Sequence, residues 1–380
     1  MAIPHPALIR VAAGEEVGEL REVDAFLDSA AEHRMTGLVW TQVDRGRLDV
    51  GAEHHQALFE ADIAHWAHNA RLWSVWRSVA EAGSRLGIEM AVIKGIALES
   101  RFFDRTGERP CTDLDVLIDP SGVERLEGLL LELGVGPDRA ARSARLVKAG
   151  RIQSVPIWVD DVSVDLHADL FKLGFASRDP DAIWSSVETI AGDEGPIRSI
   201  DAAVSLLHVL IHLNRDRFRR LLGYVDIHRV ANSELVDWDR FWAHARREGL
   251  ESIAHEVLIA VDQVVPLQVP GLGNRPTTLR GWVWRRFWPP QTRLTGREGR
   301  YRFGRRAQIV LPLLCKGRAL EAIACLSKSL FPPAELLAYN HPGLAEAPYL
   351  LRLARARTDD RRTKRRNQNL ETVGHGSHSE

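Results

Sequence analysis

Cysteine is scarce in this chain: Cys111, Cys315 and Cys325 are the three present among 380 residues, and none form a CxxC pair. A disulfide framework is thereby excluded, and a reducing, cytoplasmic setting is expected. Neither sign of charge is in excess, since 50 Lys and Arg face 51 Asp and Glu for a formal charge of -1. Coating of nucleic acid by bulk charge is excluded on that count, so any anion site has to be local. There is no run of about 18 uncharged apolar residues, and the N-terminal MAIPHPALIRVAAGEEV has no basic flank followed by a long apolar core. No export signal and no membrane span are expected. An HExxH zinc helix is also missing: His208 and His212 stand four apart, but no glutamate follows His208.

At 42.6 kDa the chain is long enough for two or three structural units. Residues 1–85 read as an N-terminal helical region. From Glu53 onward, Phe59, Ile63, Trp66, Ala70, Trp73, Trp76 and Ala80 recur at three- and four-residue spacings, which predicts a long amphipathic helix with its tryptophans in a core. His54, His55, His65 and His68 on the same stretch have no carboxylate or cysteine partner in the pattern and receive no role. Gly87 ends the helix.

Residues 86–198 read as a core built on strands. An apolar run from Met90 to Ile93 ends at Lys94-Gly95, a helix-like segment follows, and TDLDVLID then reads as a second strand carrying Asp113 and Asp115. Residues two apart on a strand share a face, so both carboxylates are expected on one side, with Leu114 and Val116 in a core. Paired carboxylates on a rigid strand are hard oxygen ligands for Mg²⁺ or Mn²⁺. At Lys94-Gly95 the glycine admits close approach of an anion to the backbone and the lysine adds a full charge. Further on, 151–159 and 162–167 read as a hairpin turned at Asp160-Asp161, and its second strand alternates Val162, Val164 and Leu166 with Ser163, Asp165 and His167. Asp165 thus stands on the polar face of a strand able to lie beside the Asp113-Asp115 strand.

Residues 199–345 read as a C-terminal helical domain that opens on a helix capped at Ser199 or Asp201. His208 and His212 on that helix are expected to pack or to face phosphate. Asp226, in LLGYVDIHRV, is an acid within an apolar run and is expected to have a partner or a chemical role. A second Asp-x-Asp pair, Asp237 and Asp239, precedes a helical pattern and is read as a helix cap. Between Arg280 and Arg318 eleven basic residues face one acid, Glu298, with tryptophans interleaved. A solvated basic face is the favoured reading there, and a surface for nucleic acid is the alternative. The tail, 346–380, is polar and basic and is expected to be largely disordered.

The order of strand, Lys94-Gly95, helix, Asp113-x-Asp115 strand and later Asp165 strand resembles the nucleotidyltransferase superfamily typified by DNA polymerase beta. More closely, KGIALESRFF, the loop Arg109-Pro110-Cys111-Thr112, TDLDVLID, VDLHADL, LLGYVDIHRV and LFPPAELL look like the bacterial family of uncharacterised nucleotidyltransferases, whose members often lie in gene clusters for peptide natural products. The type IV toxin nucleotidyltransferases are more distant. The resemblance implies an α+β fold, a small mixed sheet flanked by N-terminal and C-terminal helical regions. It also implies transfer of a nucleoside monophosphate, or a related phosphate-bearing group, from an NTP such as ATP to an acceptor, a small molecule or peptide. In this reading Asp113, Asp115 and Asp165 hold two Mg²⁺ or Mn²⁺ ions, and Lys94, Gly95 and Arg109 meet the phosphates. His167, His208, His212 and Asp226 serve the acceptor or support the ligands. The alternatives are an inactive nucleotide-binding fold and a toxin-like enzyme acting on RNA; a metal-dependent hydrolase is disfavoured because no histidine cluster accompanies the acids. One departure stands out: the superfamily's turn is Gly-Ser or Gly-Gly with a shorter interval to the aspartates, so Lys94 replaces a hydroxyl by a point charge.

Overall fold

The structure is a computed structural model that describes residues 3–17, 20–171, 177–192, 195–216 and 218–274, with short pieces at 278–279, 281–282, 284, 331, 334–340 and 349–351. Four helices come first: α1 (Pro6–Ala12), α2 (Val23–Glu32), α3 (Thr36–Asp44) and α4 (Ala52–Arg85). The 34 residues of α4 span roughly 50 Å. The chain leaves it through Gly87, whose φ of +65° suits a residue without a Cβ. The apolar stripe of α4 is used unevenly. Trp73 and Trp76 are buried, whereas Phe59, Ile63 and Trp66 are 43, 47 and 52 % exposed, which corrects the expectation of one continuous core face. At Trp66 the reason is local: its backbone meets Gly107, where a Cβ would come within 3.3 Å, and the indole points outward.

Six strands follow: β1 (Met90–Val92), β2 (Leu114–Ile118), β3 (Ser154–Val159), β4 (Val162–His167), β5 (Val187–Ile190) and β6 (Ile197–Ile200). They form one mixed sheet in the order β3-β4-β2-β1-β6-β5. Next to β2, β1 is antiparallel and β4 parallel. The β3–β4 hairpin turns at Asp160 and Asp161, both with positive φ (47° and 58°), as a two-residue type I′ turn requires. Helix α5 (Ile96–Phe102) joins β1 to β2, α6 (Leu126–Glu132) and α7 (Pro137–Lys148) lie between β2 and β3, and α8 (Pro180–Trp184) precedes β5.

The two sheet faces have different neighbours. Leu114, Val116 and Ile118 join Trp73, Leu129, Leu130 and Val164 in one apolar cluster. Ile93, Leu117 and Ile200 join a second cluster with α9 (Ala202–Arg215), α10 (Leu221–Ala231), α11 (Trp238–Glu248) and α12 (Glu251–Asp262). Leu8, Phe26 and Leu38 belong to that second cluster, so helices from both ends of the sequence share one core. Asp201 caps α9 by accepting from the Val204 amide at 2.8 Å, and Asp237 caps α11 by accepting from Arg240 at 2.9 Å. The second Asp-x-Asp pair is therefore a helix start. Helix α13 (Ala334–Asn340) follows later. Of the basic segment, residues 281, 282 and 284 are described, Trp284 being buried with its indole N–H donating to Asn214 at 3.3 Å. The rest of that segment and the tail from 352 lie outside the described residues. No described helix is long and apolar enough to cross a membrane.

A buried polar knot ties α4 to the loop that feeds β2. Glu99 on α5 accepts from Asn69 on α4 at 2.7 Å and from the Gly107 amide at 2.8 Å. Asn69 also donates to the Arg109 carbonyl (2.9 Å) and accepts from the Cys111 amide (3.2 Å). Burial pushes the Glu99 carboxyl up to about 7, and the hydrogen bonds from Gly107 and Asn69 only partly oppose it. Between pH 4.5 and 7 the unfolded chain gives up this proton while the fold keeps it, so stability falls as pH rises through that window, by roughly 3 kcal/mol in all. Glu99→Gln, neutral throughout, is expected to flatten that stretch of the curve. Urea unfolding of both proteins at pH 5 and pH 8 measures it, and parallel stability–pH curves would exclude this titration.

Candidate active site

The parallel ladder between β2 and β4 pairs Asp115 directly with Asp165. Two residues beyond Asp165, on the same face, His167 brings Nε2 to 2.9 Å from Asp115 Oδ1 and 3.6 Å from Asp165 Oδ2. One ligand atom from each of these three lies within 4.8 Å of the others. Asp115 is 7 % exposed. Burial pushes its carboxyl upward, but the Lys94 ammonium and the His167 hydrogen bond outweigh that and hold it well below the usual carboxylate range.

Lys94 enters from the end of β1. Its Nζ stands 3.5 Å from Asp115 Oδ2 and 3.0 Å from His212 Nε2. An ammonium only donates, so His212 Nε2 is the acceptor and its proton sits on Nδ1, which faces Asp216 Oδ2 at 3.3 Å. Gly95 has φ +55° and ψ −115°, a backbone conformation that needs glycine. His208, one turn before His212 on α9, places Nδ1 3.3 Å from the Ile93 carbonyl. Burial lowers its pKa to about 3, with Lys94 and His167 adding to the effect and Asp115 opposing it. Burial and Lys94 likewise hold His212 well below the ordinary histidine value. Both imidazoles are neutral at pH 7 and leave Lys94 as the cation facing Asp115.

Two expected site residues stand elsewhere. β2 begins at Leu114, so Asp113 is a bend residue to which strand alternation does not extend. It lies outside the Asp115–Asp165–His167 group and accepts from the Thr112 hydroxyl at 3.0 Å. Arg109, expected at the phosphates, is instead committed to Asp226, with two bonds of 2.7 Å from Nε and Nη2 to the two carboxylate oxygens. That pair is buried, and Cys111 Sγ lies 3.4 Å from Nη1. Asp226 therefore has its partner in Arg109. Absent from the sequence reading were Arg34, which donates to Thr112 at 3.3 Å from 78 residues away, and Asp216 behind His212. Neither stands in a spacing pattern with the aspartates.

A family model described as uncharacterised nucleotidyltransferase matches residues 19–266. The chain belongs to this family. The match spans the sheet, the carboxylates and α9 to α12, and it ends before the basic segment. No match is found among curated proteins or among solved structures. Nucleotidyl transfer is the class of reaction this family carries, and the Asp115–Asp165–His167 group fits a divalent cation. Two of its donors are hard oxygens. The third residue, His167, is fixed through Nε2, and its Nδ1 is buried with no hydrogen-bond partner among the described residues.

The Arg109–Asp226 pair makes a separate expectation. Removing one partner of a buried, doubly bonded ion pair strands the other charge, at about 3–5 kcal/mol, whereas replacing both by apolar groups is often near neutral. Arg109→Met and Asp226→Asn should each lose stability of that order, and Arg109→Met with Asp226→Leu should regain most of it. Chemical denaturation of the three variants checks this; single losses below about 1 kcal/mol would leave the arginine free for phosphate.

Proposed function

We propose that this nucleotidyltransferase moves a nucleoside monophosphate from an NTP to an acceptor group on a small molecule or peptide, using Mg²⁺ or Mn²⁺ held by Asp115 and Asp165. The observation that carries the proposal is the register of β2 against β4, which sets two carboxylates and His167 around one point with Lys94 beside them. Asp115 and Asp165 would hold the cations, whose charge would neutralise the triphosphate and lower the pKa of an attacking hydroxyl, as in two-ion phosphoryl transfer. Asp113 stands outside this group, one residue before β2, and would have to turn toward the cations to act as a third carboxylate.

The chain's own groups divide the remaining work. His167 orients the Asp115 carboxylate through its 2.9 Å bond, and the parallel ladder holds Asp165 opposite. Lys94 compensates Asp115 before substrate arrives and turns to the phosphates once that carboxylate is otherwise engaged. The neutral His212, fixed by Asp216, holds the ammonium in place without repelling it. The protein thus places charge ahead of the reaction, which is what phosphoryl transfer chiefly needs.

A second reading, a nucleotide-binding protein without catalysis, has one observation in its favour: Lys94 stands against Asp115, where a cation's charge would act. Incubation with Mg²⁺, mixed NTPs and candidate acceptors, followed by assay of pyrophosphate and of adduct mass, separates the two. The expected result is pyrophosphate release with an adduct heavier by one nucleoside monophosphate. Asp113→Asn, Asp115→Asn and Asp165→Asn should each cut turnover by about a hundredfold or more, with the circular dichroism unchanged. Undiminished turnover in Asp115→Asn would falsify the assignment of the carboxylate group, and NTP binding without pyrophosphate would favour the second reading. Lys94→Met should weaken NTP binding by about thirty- to a hundredfold, the loss of a charged hydrogen bond, while sparing Mg²⁺ binding.

A further inference from the structure

Arg34 follows the C-terminus of α2 in the left-handed region, with φ +60°. An L side chain pays a steric penalty there that glycine or asparagine largely avoids, so an arginine at this corner is held against local preference. The corner is closed by amide bonds from His33 to Ser29 (3.0 Å) and from Met35 to Ala30 (2.7 Å). It is also anchored at long range, because buried His33 accepts through Nδ1 from the Leu221 amide at 3.2 Å. Leu221 is the first residue of α10, and Arg220 precedes it. One hydrogen bond therefore joins the end of α2 to the start of α10 and brings two arginines, 186 positions apart in the sequence numbering, to the same rim.

That rim lies beside Asp113, at the entrance to β2. Arg34 Nη1 donates to the Thr112 hydroxyl at 3.3 Å, and this hydroxyl donates to Asp113 at 3.0 Å. Burial lowers the Arg34 pKa, the Arg220 charge lowers it further, and Asp113 and Asp216 act in the opposite sense. The Arg220 charge thus reaches Arg34 across this rim. Nearby Arg215 and Lys94 are already engaged, with Asp216 at 3.5 Å and Asp115 at 3.5 Å. Like charges brought to one rim beside acidic groups are a receptor for a polyanion that can bridge them.

We propose that Arg34 and Arg220 form a two-guanidinium clamp for the polyphosphate chain of the nucleotide, one arginine from the corner after α2 and one from the start of α10. The identity of the ligand as an NTP rests on the function proposed above; the clamp's chemistry, recognition of linked phosphates by two planar forks, does not. Because the two arginines come from different helical segments, polyphosphate also ties α2 to α10, and ligand-induced stabilisation depends on both.

The test is calorimetric titration of the full chain with sodium tripolyphosphate in the absence of divalent cation. Arg34→Gln and Arg220→Gln are each expected to weaken binding about ten- to a hundredfold and to reduce its salt dependence. Arg219→Gln, at the exposed neighbouring position, should bind as the wild type does. Arg34→Lys should recover part of the loss, as charge without the fork. Arg34→Gly keeps the experiment decisive if glutamine perturbs the corner, for it relieves the left-handed strain: its melting temperature should hold or rise while tripolyphosphate binding falls. No detectable binding to the wild type, unchanged binding in both glutamine variants, or equal loss in Arg219→Gln would each overturn the clamp. Clamp-dependent tripolyphosphate binding with no pyrophosphate released from any NTP would leave the clamp standing and remove the catalytic reading. Transfer activity with unaltered KM in Arg34→Gln and Arg220→Gln would do the reverse.

Discussion

The parallel ladder between β2 and β4 is the constraint on which the chemistry of this molecule depends. β2 is buried along its whole length, and Leu114, Val116 and Ile118 commit one of its faces to an apolar cluster. A slip of β2 by one residue against β4 would drive Asp115 into that cluster and lift the apolar set of β2 toward α9, so hydrophobic burial itself enforces the register. The same ladder lets Asp115 be both buried and reactive: it stands on a central strand, opposite another acid and under a helix whose histidines are neutral.

Burying an acid next to an acid is costly unless charge of the other sign is near. The Lys94 charge and the hydrogen bond to His167 supply that compensation in the folded chain, and they do so from positions the backbone holds firmly, a glycine-dependent turn after β1 and the end of β4. The histidines of α9 accomplish something subtler. Desolvation keeps them uncharged, so they can hydrogen-bond the lysine and the Ile93 carbonyl without adding positive charge that would compete with it. A site with two carboxylates, one lysine and neutral imidazoles is prepared for cations and phosphates together.

Around this centre buried polar links help to position the loop from 103 to 113. Asn69 and Glu99 hold it to α4 and α5, and Arg109 with Asp226 holds it to α10. Each link joins elements distant in sequence, and each satisfies donors and acceptors that burial would otherwise strand. The apolar stripe of α4 shows the complementary point. It is covered around Trp73 and Trp76 and open around Phe59, Ile63 and Trp66, because period alone does not state how far the partner surface extends.

Local rules made much of this legible in advance. The turn at Asp160-Asp161, the caps at Asp201 and Asp237 and the long helix from residue 52 follow from residues within a few positions of one another, where propensity and side-chain alternation act, whereas the mixed sheet with flanking helices was expected from the family resemblance. Asp113 marks the edge of that legibility: a spacing of two implies a shared face only inside a strand, and this strand starts one residue later. The pairing of Arg109 with Asp226 across 117 residues, of Asn69 with Glu99 across 30, and of Arg34 with Thr112 across 78 was decided by tertiary structure alone. Such contacts depend on where whole elements come to rest when their apolar faces are buried. The sequence by itself determined which residues carry charge and which strands hold them; only the packed fold decided which charges meet.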